Sequence, residues 1–173
     1  MKNCITVVLI STMILGLAGC GYTQKTVLPQ DFKTIHVDTV INDINIGNIV
    51  AYETGLEIRI TNAIIDHLQK DGQLRVVPRE EADAILESKL VQFDQQGLRF
   101  NSLERVEEYR MVIVLDLVLR NAKTGDIIWA EPFLSGDSEY YVSTVRSIAR
   151  SDAAERAIER LAENVTNRIV EDW

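Results

Sequence analysis

Beyond Cys20 the chain has no cysteine, and only Cys4 precedes it. Residues 21–173 therefore hold no internal disulfide, and their stability must come from packing. Histidine is nearly as scarce. His36 and His67 stand alone, with no cysteine or second histidine near either in sequence, so the ligand spacing of a zinc site is missing. No glycine-rich phosphate loop of the required form is present. Neither histidine has a serine or cysteine nucleophile marked by a local motif. The carboxylates do not pair for acid–base work either. Asp83 and Glu87 straddle an expected change from turn to strand, and neighbours such as Glu107 and Glu108 point to opposite sides of a strand. Positive charge is also in deficit, with 18 Lys and Arg against 26 Asp and Glu and a net charge of −8. Such a chain is a poor general binder of nucleic acid or of anionic surfaces. With no enzyme site, metal site or cofactor motif, the remaining classes are binding and assembly. There is no internal repeat and no low-complexity tract.

What the chain does have begins at its amino terminus. Lys2 provides a basic start, Ile5 to Leu17 carries no charge, and Leu17-Ala18-Gly19 closes the run with small residues before Cys20. This is the build of a secretory signal peptide. The apolar stretch falls short of the roughly 20 residues that span a bilayer. With a cysteine placed directly after the small residues, the segment resembles a bacterial lipoprotein signal. That resemblance implies removal of residues 1–19 and acylation of Cys20. Each buried acyl methylene contributes about 0.8 kcal/mol, and stable anchoring takes more than one chain. Gly21 rather than aspartate after the cysteine implies export to the outer membrane, as in lipoproteins of enterobacterial type. Loss of residues 1–19 leaves 154 residues, with 17 basic and 26 acidic side chains. That is the size of one domain with its own core.

Residues 20–31 read as a tether, since Pro29 biases Leu28 away from helix. The domain then spans 32–173. Alternation from Phe32 to Val40 predicts a strand with Ile35 and Val37 on one face. The polar segment 42–50 is either a partner contact or an exposed connection. Leu56, Ile60, Ala63 or Ile64, and His67 or Leu68 recur at helical spacing over 53–70. Thr54 and Glu57 read as a capping box, and Asp71-Gly72 as the stop. Leu74 to Val77 reads as a short strand ended by Pro78, with a helical turn or link at 79–83.

Ile85 to Phe93 reads as a strand, with Leu86, Ser88, Leu90 and Gln92 facing one way and Ile85, Glu87, Lys89, Val91 and Phe93 the other. Residues 94–105 are polar and read as a loop. Val106 to Arg120 gives the strongest strand signal, with Tyr109, Met111, Ile113, Leu115, Leu117 and Leu119 on one face. Asn121 to Gly125 reads as a hairpin turn. The returning strand puts Ile127, Trp129 and Phe133 on one side, and Pro132 places it at an edge or breaks it. A last helix, clearest from about Ser151 to Val170, carries Ala154, Ile158, Leu161, Val165 and Ile169 as its apolar stripe. The fold class that satisfies these faces is α/β: a two-layer sandwich with a four- or five-stranded mixed sheet packed against two amphipathic helices.

The order of these features resembles the lipopolysaccharide-assembly lipoproteins, the LptE-like family. The residues that carry the resemblance are Cys20-Gly21-Tyr22, Leu28-Pro29, Ile35-His36-Val37 and Glu53 to Leu68. They continue through Ala82 to Leu86, Glu108-Tyr109-Arg110 and Thr124 to Trp129, and end in the amphipathic helix. The resemblance implies a lipoprotein of the outer membrane, on its periplasmic side. It implies a one-to-one complex with a large LptD-type β-barrel, whose lumen the protein plugs. There it assists barrel assembly and the passage of lipopolysaccharide to the cell surface.

The resemblance also implies lipopolysaccharide binding by basic residues, and Arg75, Arg79 and Lys89 are the candidates, since anionic phosphates attract such side chains. Their other reading is ordinary surface charge. For the barrel, the candidate contact regions are 42–50, 94–105 and the sheet end near Pro132. Tyr140 and Tyr141 are candidate aromatic contacts, or one of them packs against the final helix. The competing reading is a lipoprotein that scaffolds or activates another envelope complex.

Overall fold

The structure, a computed structural model, describes residues 32–44, 54–142 and 146–170. The expectations for the signal segment, the tether, Cys20 and most of the 42–50 loop fall outside them.

One mixed sheet forms the base of the domain. Its strands are β1 (Thr34–Val37), β2 (Ile41–Asn42), β3 (Arg75–Val76), β4 (Ala84–Phe100), β5 (Val106–Asn121) and β6 (Ile127–Tyr141). The order is β3-β1-β4-β5-β6, with β2 pairing the same strand, β4, further along. The short strands run parallel to their neighbours, and the three long strands form an antiparallel meander. Two helices, α1 (Leu56–Asp71) and α2 (Arg146–Val170), supply the second layer. The expected two-layer α/β sandwich is therefore the observed architecture.

The core follows from the two periods. Met111, Ile113, Leu115, Leu117 and Leu119 of β5 alternate onto the helix side and are fully buried. Ala154, Ile158, Leu161, Val165 and Ile169 meet them from α2, and Leu56, Ile60, Ile64 and Leu68 from α1. The four buried alanines Ala153, Ala154, Ala157 and Ala162 keep α2 close to the sheet. Closest approach is at Gly136 of β6, where an added Cβ would stand 2.5 Å from the Leu161 Cβ and from the Ala157 carbonyl oxygen.

Thr61 ties α1 to the sheet edge. Its hydroxyl donates to the Glu57 carbonyl at 2.7 Å and accepts from the Val40 amide at 3.0 Å. α1 starts differently from the expected capping box. Gly55, in a left-handed conformation, is the cap residue and has no side chain to make the cap bond. The stop is as expected: Gly72, at φ +77°, donates its amide to the Leu68 carbonyl.

Three strand expectations are corrected. Residues 94–100 are not loop but the outer part of β4, paired with β5 up to Phe100 opposite Val106. Their polarity reflects exposure on both faces, which removes the alternation that marks a half-buried strand. The register slips between Leu90 and Gln92, so Phe93 turns into the core beside Leu90 instead of away from it. In β6 the register slips again between Leu134 and Glu131, leaving Pro132 and Phe133 opposite the single residue Asp116. Trp129 is buried and Phe133 exposed, although simple alternation places them together.

Candidate functional site

The helices cover one face of the sheet, so the other face and the far end of the hairpin are where partners can reach the domain. At seventeen residues, β4 spans about 55 Å at ~3.3 Å per residue. α2, with 25 residues, spans about 37 Å. β6 accompanies β5 out to Tyr141 opposite Glu108, and beyond that point β4 and β5 continue as a short two-stranded tip with Phe100 opposite Val106.

The tip is built to hold its shape. The Asn101 side chain accepts from the amides of Leu103 and Arg105, and the Arg105 carbonyl accepts from the Asn101 amide. Arg99 pairs with Glu108 at 3.2 Å and also lies over the Tyr141 ring, 5.7 Å from its centroid. Glu108 and Tyr141 are cross-strand partners, so the guanidinium spans both and leaves the Glu108 side chain only 10% exposed. At the tip, Leu98, Phe100 and Leu103 are exposed.

The uncovered face carries its own charge pairs. Arg120 donates to Glu87 at 2.9 Å, and Arg110 donates to Glu139 at 2.7 Å and lies 3.5 Å from Asp137. The Glu139 hydrogen bond holds the Arg110 guanidinium proton more tightly than usual. A cavity of about 460 Å³ opens on this face between the β1–β2 link and the middle of β4 and β5. Asp38, Ile41, Glu87, Lys89, Asp116 and Val118 line it.

The candidate cations do not form one cluster. Arg79, in the single turn Arg79–Glu81, is gripped by both carboxylate oxygens of Asp38. That hydrogen bond, followed by the charge attraction of Asp38, raises its proton affinity. Lys89 stands on the uncovered face, 3.8 Å from Asp43. Arg75 lies apart on the edge strand β3, opposite Thr34. Asp38 and Lys89 share the cavity, so Arg79 and Lys89 approach one region while Arg75 does not.

The two candidate tyrosines separate completely. Tyr140 is 7% exposed and stacks on Tyr109 at 5.6 Å within the core. Its ring is engaged in packing. Tyr141 is exposed beside Arg99. The sequence reading missed Asp116 and Phe133. Their one available signal was an acid in the middle of an aliphatic strand and an aromatic directly after a proline.

Among the described residues no group of histidine, cysteine or carboxylate side chains is placed to hold a metal ion, and no helix is long and apolar enough to cross a membrane. Comparison with known proteins then decides the family. The family described as lipopolysaccharide-assembly, LptE, matches residues 32–172. The chain belongs to this family.

As an LptE-family protein it is a lipoprotein of lipopolysaccharide and outer-membrane assembly, lipid-anchored on the periplasmic side, and its role is not enzymatic. No curated protein matches the chain. Several solved structures share its fold. A protein of Xanthomonas campestris superposes with a TM-score of 0.58 at 9% identity, covering 84% of this chain and 91% of that one. A minor lipoprotein of Acinetobacter baumannii gives 0.51 at 12%, covering 80% and 92%. Lipoprotein B of Nitrosomonas europaea gives 0.50 at 15%, covering 85% and 89%.

Proposed function

We propose that this LptE-family chain plugs a large LptD-type outer-membrane β-barrel, standing in its lumen one-to-one, and that it assists assembly of the barrel and delivery of lipopolysaccharide to the cell surface. Family membership across residues 32–172 is the observation that carries this reading. The fold supports it in two ways. The uncovered face carries the ion pairs Arg110–Glu139 and Arg120–Glu87, which suit the polar interior of a transmembrane barrel. The β4–β5 tip lies at the opposite end of β4 from the Ala84 end, where β1 and residue 32 lie.

In this reading residues 1–19 are removed and Cys20 carries the acyl anchor. Residues 20–31 link it to the single domain 32–173, with a maximum reach of about 40 Å. Arg75, Arg79 and Lys89 are the proposed contacts for lipopolysaccharide phosphates, and Tyr141 and the tip the proposed contacts for the barrel wall. Affinity isolation from native membranes tests the central claim. A large β-barrel should copurify at about equal stoichiometry, and recovery of a soluble envelope enzyme with no barrel would reject it. Neutral replacement of Arg75, Arg79 and Lys89 should weaken lipopolysaccharide binding, and unchanged affinity would remove those positions. Mass spectrometry of the mature chain should find the acyl mass on Cys20.

A further inference from the structure

His36 lies between two acceptors. Its Nδ1 is 3.0 Å from the Val77 carbonyl oxygen, and its Nε2 is 3.3 Å from Oδ1 of Asp38. A carbonyl oxygen only accepts, so Nδ1 carries a proton and donates. In the neutral ring Nε2 then turns a bare lone pair toward a carboxylate. Only the imidazolium, with a proton on each nitrogen, donates to both neighbours.

Asp38 is also the carboxylate that grips Arg79. One anion thus serves two groups, of which one is always charged and the other changes its charge with pH. All three side chains are partly exposed, so protons and small ions reach them. The surrounding charges come from each neighbouring element. Glu80, in the same turn as Arg79, and Glu87 of β4 both attract the Arg79 charge. Glu87 is paired with Arg120 of β5, which stands opposite Ile85, the cross-strand partner of His36. From β3, Arg75 lies opposite Thr34, two residues before His36. Among the described residues Asp38 is the recorded ion partner of the ring.

With His36 neutral, Asp38 and Arg79 cancel. When the ring takes its second proton, the three groups together carry one positive charge. We infer that His36 is a proton-operated control on Arg79: its imidazolium takes up the charge of Asp38 and leaves the guanidinium open to a phosphate-type oxyanion. The inference rests on the reading of Arg79 as a phosphate contact and adds the regulation of that contact. Two cations on one carboxylate stand within ~7 Å of each other, and a unit charge at that distance changes the affinity for an anion about threefold even in bulk water. The coupling is mutual, since a bound anion strengthens proton binding at His36 by the same factor.

The test uses the full-length lipoprotein in a non-ionic detergent at low salt. Inorganic sulfate is the probe, because its charge stays constant across the histidine range while that of phosphate does not. Backbone amide shifts around Arg79 are followed by NMR. Sulfate should bind at least about threefold more tightly near pH 5.5 than near pH 8. His36→Gln should remove that difference and leave the weaker binding near pH 8 in place. His67→Gln should preserve it, which assigns the effect, since these are the chain's two histidines. In the unaltered protein, saturating sulfate should move the midpoint of the His36 ring titration upward, and this readout needs no variant to fold. Equal sulfate affinity at both pH values, with the response still lost in Arg79→Gln, would overturn the control and keep Arg79 as a phosphate contact. No sulfate response at Arg79 at either pH would overturn the contact itself, and the control with it.

Discussion

Gly136 of β6 and Leu161 of α2 meet without a side chain between them, and the place a Cβ would occupy is 2.5 Å from the Leu161 Cβ. Neither neighbour can yield cheaply, since the Ala157 carbonyl oxygen and the Leu161 amide nitrogen are equally close. Gly136→Ala should therefore destabilise the domain by about 1–3 kcal/mol through overpacking. Urea denaturation checks it, and an unchanged midpoint would mean that the helix does not rest on the sheet there.

Asp83 joins three parts of the chain. Its Oδ2 accepts from the amides of Lys33 and Thr34 and from the Thr34 hydroxyl, and its Oδ1 lies 3.3 Å from the Lys123 ammonium. The Lys33 amide is the largest cause that lowers its pKa below the ordinary carboxylate value, followed by the Thr34 hydroxyl and then Lys123. A lowered folded pKa gives stability that is present above the unfolded value of about 3.9 and lost as pH falls through the folded one. Asp83→Asn should cost about 1–3 kcal/mol near pH 7. The gap to the parent protein should close in acid, and denaturation midpoints measured across the two ranges decide it.

Glu108 depends on Arg99. Arg99→Ala leaves a mostly buried carboxylate without its cation and should cost about 1–2 kcal/mol. Adding Glu108→Gln should recover much of that loss, because the charge that needed a partner is gone. A double-mutant cycle with no coupling would show that the Arg99–Glu108 pair contributes nothing to holding the tip.

Phe133→Gly should raise thermal stability, by about 0.5–1 kcal/mol, since Phe133 has φ +59° and glycine adopts positive φ without cost. A loss of stability would mean that the ring packs against the domain.

Much of this fold was legible because its signals were long. The five alternating residues from Met111 to Leu119 and the stripe from Ala154 to Ile169 each repeat one period without interruption, and both face the core as their periods require. The reading failed where the period was interrupted. One slip after Leu90 reversed Phe93, and another at Pro132 reversed Phe133, because alternation carries no memory across a bulge. The outer part of β4 stayed hidden for a different reason: a strand wet on both sides has no apolar rhythm. The site suffered from the same causes. Asp116 and Phe133 touch only because the second slip sets two residues opposite one.

The outer border of β6 has a consequence for a protein of outer-membrane assembly. Asn164 of α2 donates to the Ser135 carbonyl at 2.8 Å, and Arg156 donates to the Glu139 carbonyl at 3.3 Å. Carbonyls that would recruit another strand are thus occupied by the protein's own helix, and Pro132 offers no amide there at all. An open strand of another chain therefore finds two acceptors of this border already taken and one donor missing.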